Sequence, residues 1–215
     1  MNISIAPVIG LRSIIQQTLV SQPVEALKNP FSLGKEHFLM IIVRQAKIAD
    51  APAIARVNID TWRTAYQKIV PADYLAQLSY EKRESNWREI LVNAEKNQDF
   101  VCVAENQTGQ IVGFATGGYE RTNKYIYKGE LFAIYILQEY QHQGIGRKLV
   151  VTVAAKLAKL NLNSMLVWVL GDNSACRFYE ILGGKKVDEH QTNRAGVVVK
   201  EIAYGWTDIT VSFLS

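Results

Sequence analysis

Cysteine is scarce: Cys102 and Cys176 are the only two in 215 residues. Each lies in an apolar stretch, so two buried reduced thiols are expected rather than a disulfide framework, and the expected compartment is reducing and cytoplasmic. Histidine is equally sparse, and His37, His142 and His190 stand at spacings that match no metal-ligand set. No apolar run reaches the ~18 to 20 residues that span a bilayer, so no membrane segment is expected. The opening "MNISIAPVIGLRSIIQQTLV" is interrupted by Arg12, Gln16 and Gln17, and no small-residue cleavage site follows it, which argues against a secretory leader. Charge is unremarkable too. A net charge of +4 and a pI near 9.0 suit an anionic ligand. They fall short of the dense basic stripe of a nucleic-acid binder, so no nucleic-acid partner is expected.

What is present is ordinary globular composition, 48% hydrophobic and 20% charged, enough at this length for one well-packed core. Residues 1–39, with Pro7, Pro23 and Pro30 and only scattered periodicity, read as an N-terminal extension, native or translated from an upstream start codon. Residues 40–215 read as the domain. "MIIVRQA" predicts a short strand. Asp50 is expected to cap a helix with Pro52 in its first turn and Ile54, Val57, Thr61 and Ala65 on one face. A second helical region after Pro71, interrupted near Ser79, extends to about Asn93.

"DFVCVAE" and "QIVGFATGG" predict an antiparallel hairpin closed at Asn106–Gly109, a better use of the Asn106-Gln107-Thr108 triplet than glycosylation. Residues 130–137 predict a central strand, with Leu131, Ala133 and Tyr135 on one face and Phe132, Ile134 and Ile136 on the other. Residues 147–160 predict a helix on Leu149, Val153, Leu157 and Leu160. "SMLVWVL" follows as a strand. "NSACRFYEIL" is a short helix capped by Asn173 and ended at Gly183-Gly184, and "GVVVKEIAYGW" is a long last strand. Alternating strands and helices with one hairpin make the class a mixed α/β sheet covered on both faces.

The seam "EYQHQGIGRKL" places two glycines, cations and amides between the central strand and a helix start. Either it is a tight turn or it holds phosphate, because a helix N-terminus offers unpaired N–H groups and partial positive charge to an anion. A Walker loop would end in Gly-Lys-Ser/Thr, and a dinucleotide fingerprint would need a third glycine at Leu149; neither is present.

In this setting "QHQGIG" resembles the acyl-coenzyme A signature of the GNAT superfamily of N-acetyltransferases, Gln/Arg-x-x-Gly-x-Gly/Ala, with Gln141, Gly144 and Gly146 in its fixed places. The resemblance spans about residue 40 to the end, including "TWRTAY", "NSACRFYEILGG" and "YGWTDI". One departure is Gly184, where an aromatic residue commonly follows the helix-ending glycine.

The resemblance implies a mostly antiparallel GNAT sheet and acetyl-CoA as cosubstrate, without a metal. Its diphosphate would be held by Gln141, His142, Gln143, Gly144, Ile145, Gly146, Arg147 and Lys148. Its pantetheine would lie along the backbone of Ile134, Tyr135 and Ile136, where the strand splays, with a bond from Asn173. Direct attack by a primary amine of a small molecule or peptide needs a base and an acid. Glu130, acting through a water, is the candidate base, against a solvated glutamate at a strand entrance. Tyr179 is the candidate acid, against a core tyrosine, and is expected to turn partly toward the cleft. Trp62, Arg63, Tyr66 and Tyr119 are candidate acceptor-lip residues. Cys176 lacks an activating partner in sequence, so no acyl-enzyme is expected, and His142 is either a phosphate contact or a solvated loop residue. The competing function is a catalytically inactive acyl-CoA-binding module on the same fold; a homodimer is left open.

Overall fold

The computed structural model describes residues 40–215; the expected extension 1–39, and His37 within it, lie outside them. The strands are β1 (Ile42–Gln45), β2 (Phe100–Glu105), β3 (Ile111–Tyr119), β4 (Gly129–Ile136), β5 (Met165–Leu170), β6 (Lys185–Arg194) and β7 (Val197–Trp206). The helices are α1 (Ala51–Ala65), α2 (Ala72–Ala76), α3 (Tyr80–Asn93), α4 (Ile145–Lys159), α5 (Ala175–Ile181) and α6 (Ile209–Phe213). The strands form one sheet in the order β1-β2-β3-β4-β5-β7-β6, antiparallel throughout except where β4 meets β5.

Two cores cover its faces. On one side α4 lays Leu149, Val153 and Leu157 against Cys102, Ala115, Leu131 and Ile134, with α5 and α6 beside it. On the other, α1 and α3 bury Ile54, Val57 and Trp87 against Val101, Val103, Phe114 and Tyr135. Each such fully buried side chain is worth about 1.5–3 kcal/mol relative to exposure, so the pattern of apolar residues decides which face each helix takes.

Hairpin and helix-break readings hold at atomic detail. Asn106 Oδ1 accepts from the backbone N–H of Thr108 and Gln110, so this side chain builds the β2–β3 turn. Ser79 caps α3 by accepting from Lys82 N–H, and Asn173 Oδ1 accepts from Ala175 N–H at the start of α5.

Four expectations are corrected. Asp50 does not cap α1: its carboxylate accepts from Lys47 N–H at 2.7 Å and pairs with Arg44 in the turn before the helix, and that cation holds its pKa below the ordinary carboxylate value. Strict alternation fails in β4. Gly117 stands opposite Leu131 and Thr116 opposite Ala133, so Phe132 is an extra, unpaired residue, and this bulge puts Leu131 and Ile134 on the same face. Helix α4 starts at Ile145, two residues earlier than expected, because left-handed Gly144 (φ 77°) already serves as its N-cap. Strand β6 was not foreseen: "KKVDEHQTNR" is polar on both faces, and it forms an edge strand carried by its pairing with β7.

Candidate active site

The parallel β4–β5 ladder is short. Gly129, Glu130 and Leu131 face Met165, Leu166 and Val167, and there the register ends. Beyond it β5 pairs with β7 and β4 with β3, so the two central strands separate over residues 132–136 of β4. The bulge at Phe132 sits where the separation begins. Beyond Leu131 no residue of β4 is in register with β5, as expected for a segment that pairs with an extended ligand.

At the far end of β4 the chain turns through Gln138–Tyr140 into the glycine corner. Gln141 is half-buried and its Nε2 donates to the carbonyl of Ile136 at 2.9 Å, which fixes the corner to the open strand. The two glycines have different reasons to be there. At Gly144 the left-handed backbone is the requirement, since a Cβ there would meet nothing within 4 Å. At Gly146, in the first turn of α4, a Cβ would lie 3.1 Å from the Phe178 ring, so packing of α5 on α4 is the requirement. Arg147 and Lys148 are exposed on that turn; Ile145 is buried and has only its backbone to offer. His142 is exposed with φ 60°, a solvent-facing loop residue, and Gln143 is exposed with Nε2 bonded to the Glu139 carbonyl.

A cavity of about 500 Å³ opens at this end of the gap. Thr64 at the end of α1, Lys68 just after it, Gln138 and Gln141 of the corner, Asn173 before α5 and Val199 of β7 are among its walls.

Behind its lining, in the core, lies a set of buried phenols. Tyr135 accepts from Trp62 Nε1 at 3.0 Å and from the Tyr66 hydroxyl. Tyr179 comes from α5 on the opposite face, completely buried, with a hydroxyl that has no hydrogen-bond partner among the described residues. Burial holds its pKa well above the ordinary phenol value, and Tyr135 and Cys176 add to the shift. Tyr66 is raised in the same way by burial, then by Tyr135 and Tyr179. Tyr66 and Tyr135 are thus bonded to each other in one core, while the Tyr179 ring packs with Phe178, Tyr204 and Trp206 in the other. The expectation that Tyr179 turns partly to solvent is corrected, because it is Phe178 that remains half-exposed.

Glu130 is buried, with a side chain 2% exposed, which removes the solvated reading. It is also engaged. Arg121 gives Oε2 its backbone N–H at 3.2 Å and Nε at 3.1 Å, and its Nη2 pairs with Oε1. The guanidinium lies over the Phe132 ring, 4.6 Å from its centre. Beside it, half-buried Asp99 has its pKa raised by desolvation, against the pull of Arg121. Arg121 had no signal in the sequence, because it lies nine residues from Glu130 across a loop.

The acceptor-lip set divides. Trp62 is half-buried and Tyr119 exposed. Tyr66 is interior, and Arg63 instead ties α1 to the α2–α3 junction through Leu78 and Tyr80. Cys176 is half-buried, with Sγ facing the Leu170 and Gly171 carbonyls, and burial raises its pKa; both features disfavour a nucleophile. Trp206 explains Gly184: a Cβ there would lie 2.7 Å from its ring, so Trp206 fills the place of the missing aromatic. Among the described residues no cluster of side chains fits a metal, and no helix is long and apolar enough to cross a membrane.

Comparison with known proteins agrees with this geometry. The FR47-like protein family matches residues 115–194, which include β4, the glycine corner, α4 and α5. The chain is 39% identical over 171 residues to the uncharacterised N-acetyltransferase YuaI of Bacillus subtilis, covering 80% of this chain and 95% of that protein. It is 24% identical over 153 residues to spermidine N(1)-acetyltransferase of Thermoplasma acidophilum, 70% of this chain and 91% of that one. Among solved structures, the PaiA N-acetyltransferase of T. acidophilum in complex with coenzyme A superposes with a TM-score of 0.64 at 21% identity, covering 78% of this chain and all of that one. YncA of Salmonella typhimurium with acetyl-CoA gives 0.60 at 19% identity, covering 78% and 93%. By its close relative, its sheet and its glycine corner, the chain belongs to the GNAT superfamily of N-acetyltransferases.

Proposed function

We propose that the protein transfers the acetyl group of acetyl-CoA to a primary amine by direct attack. The observation that carries this reading is the opening between β4 and β5, beside which α5 supplies a buried Tyr179 hydroxyl with no hydrogen-bond partner among the described residues. An orphaned buried hydroxyl costs about 1–3 kcal/mol, and a ligand atom entering the gap would relieve that cost. The glycine corner fits a diphosphate through the amides at the start of α4, with Arg147 and Lys148 at its rim; Gln141 positions the corner, and Asn173 lies at the pantetheine wall.

In this reading the gap-facing backbone of Ile134 and Ile136, on either side of Tyr135, pairs with the pantetheine, and an N–H of that backbone holds the oxyanion as the amine nitrogen attacks. As the C–S bond breaks, Tyr179 gives its proton to the departing sulfur. Its high pKa keeps it protonated for that task at neutral pH. The amine's proton leaves through a water on Glu130, whose Oε1 accepts one bond from Arg121 and keeps a lone pair free. Trp62 and Tyr119 border the acceptor cleft. Free thiols at Cys102 and Cys176 support a reducing, cytoplasmic setting. Polyamines are the first acceptors to try, given the spermidine N(1)-acetyltransferase relative.

An acceptor screen reading released thiol, run on wild type and Tyr179→Phe, tests the proposal. Turnover that drops ~10²-fold or more with acetyl-CoA affinity retained is expected of an acid catalyst. Coenzyme binding without turnover on any amine would point to the inactive binding module instead.

A further inference from the structure

The β4–β5 ladder ends at the pair Leu131 and Val167, and the next residue on each strand is aromatic. Phe132 and Trp168 are both half-buried, and both project on the sheet face away from α4. For Phe132 this follows from two glycines of β3: a Cβ on Gly117 would meet Val153 of α4, whereas one on Gly118, on the other face, would lie 3.1 Å from the Phe132 ring. For Trp168 it follows from alternation, since Val167 and Val169 belong to the α4 core while Trp168 packs beside Leu166 and Ala203. The two rings therefore flank the start of the gap. Both are braced by the loop between β3 and β4: Arg121 lies over Phe132 while it grips Glu130, and Tyr125 stands edge-on to Trp168 at 5.9 Å with its hydroxyl bonded to Asp188. His190 closes on the Trp168 ring at 4.4 Å.

A carboxylate lies against Phe132 with nothing to hold. Asp99 Oδ1 is 2.3 Å from the point where a Gly118 Cβ would stand, so Asp99 and Phe132 share the space that this glycine leaves. Asp99 is half-buried, and among the described residues its carboxylate has no hydrogen-bond or ion-pair partner; the guanidinium of Arg121 is bonded to Glu130 instead. A partly desolvated carboxylate beside an aromatic ring is a setting that a cation stabilises, through its charge and through the ring quadrupole.

We propose that Phe132 and Trp168 form the walls of the acceptor slot and that Asp99 at its rim holds a second cationic group of the acceptor, which makes the substrate class a diamine or polyamine rather than a monoamine or an amino acid. This rests on the acetyltransferase reading. The glycine corner and Tyr179 belong to the α4 face, so an amine that passes between the two rings meets the thioester from the other side. The attacking nitrogen must be neutral; the charge that Asp99 recognises therefore sits on a second nitrogen, which stays protonated throughout. Glu130 stands beside Gly118 in the β3–β4 register, so the carboxylate that would take the proton and the one that would hold the charge are one or two strand spacings apart, ~5–10 Å. Asp99 is thus a specificity-determining residue.

Acceptor kinetics with acetyl-CoA compare putrescine and spermidine with butylamine, which keeps an alkyl chain and one amine but lacks the further charge. Wild type is expected to favour the di- and polyamine ~10-fold or more in kcat/KM, the scale of one charge-assisted hydrogen bond. In Asp99→Asn that preference should fall to within ~3-fold through the KM of the charged acceptors. Trp168→Ala should raise the acceptor KM ~10-fold for all three amines. Acetyl-CoA affinity, measured by calorimetry on each variant, shows that it is folded. Equal use of the three amines by wild type, turnover confined to amines without a second cation, or an unchanged preference in an Asp99→Asn protein that binds acetyl-CoA overturns the proposal while the acetyltransferase reading stands. So does an unaltered acceptor KM in folded Trp168→Ala. Failure of wild type to turn over any amine removes that reading and this inference together. The wild-type comparison decides the matter even where a variant does not fold.

Discussion

The side-chain amide of Gln141 is bonded at 2.9 Å to the carbonyl of Ile136, the last residue of the open strand. One side chain thereby joins the two parts of a coenzyme site, the strand that would pair with the pantetheine and the corner that would meet the diphosphate. Gln141→Leu should lose about 0.5–1.5 kcal/mol of stability, the net worth of one intramolecular hydrogen bond. Coenzyme A affinity should fall by more than that, since both parts lose their mutual alignment. Thermal melts with and without the coenzyme check this; a variant that binds as tightly as wild type would assign Gln141 to packing alone.

Tyr179→Phe should separate stability from activity. Removing a buried hydroxyl that has no partner among the described residues relieves a desolvation cost of about 1–3 kcal/mol, so the variant's melting temperature should equal or exceed that of wild type. A clear loss of stability would mean that the hydroxyl has a partner in solution.

Alkaline pH should unfold the protein early. Tyr66, Tyr135 and Tyr179 all have pKa values raised by burial, so the folded chain keeps protons that the unfolded chain releases near pH 10. Their contribution is complete below the unfolded value and is lost as pH rises above it. Cys102, pushed up to about 11 by burial, acts the same way between pH 9 and 11. Denaturant titrations from pH 7 to 11 should show stability falling above about pH 9, and a Tyr66→Phe, Tyr135→Phe, Tyr179→Phe variant should show a shallower fall.

Arg121→Leu should be costly even though Arg121 is itself 39% exposed. The variant strands the Glu130 carboxylate, 2% exposed, without its cation; breaking a fully buried pair costs ~3–5 kcal/mol, and solvent at Arg121 should reduce this to roughly 1–3 kcal/mol. Arg121→Lys should recover less than half of that loss, because a lysine cannot reproduce the two-oxygen grip. Chemical denaturation of the three proteins decides it, and an unaltered midpoint for Arg121→Leu would show that water replaces the guanidinium.

What was legible in the sequence follows the range of the forces involved. Ser79, Asn106 and Asn173 were placed correctly because each bonds to backbone within four residues of itself. Asp50 looked like the same kind of cap, but Arg44 and Lys47 claim its carboxylate first. β6 was missed because its residues carry no apolar alternation; its strand character comes from the β7 edge it pairs with.

The chain itself decided the local events: which segments are apolar enough to be buried, where turns close, and that a left-handed glycine opens a helix after the central strand. Tertiary structure alone decided how the site is assembled. The bulge at Phe132, the Arg121 partner of Glu130 and the clasp of Trp62 and Tyr66 on Tyr135 all join residues far apart in sequence or displaced in register. No periodicity encodes such contacts, because they depend on where two strands stop pairing and on what the packed helices on either side push into the space between them.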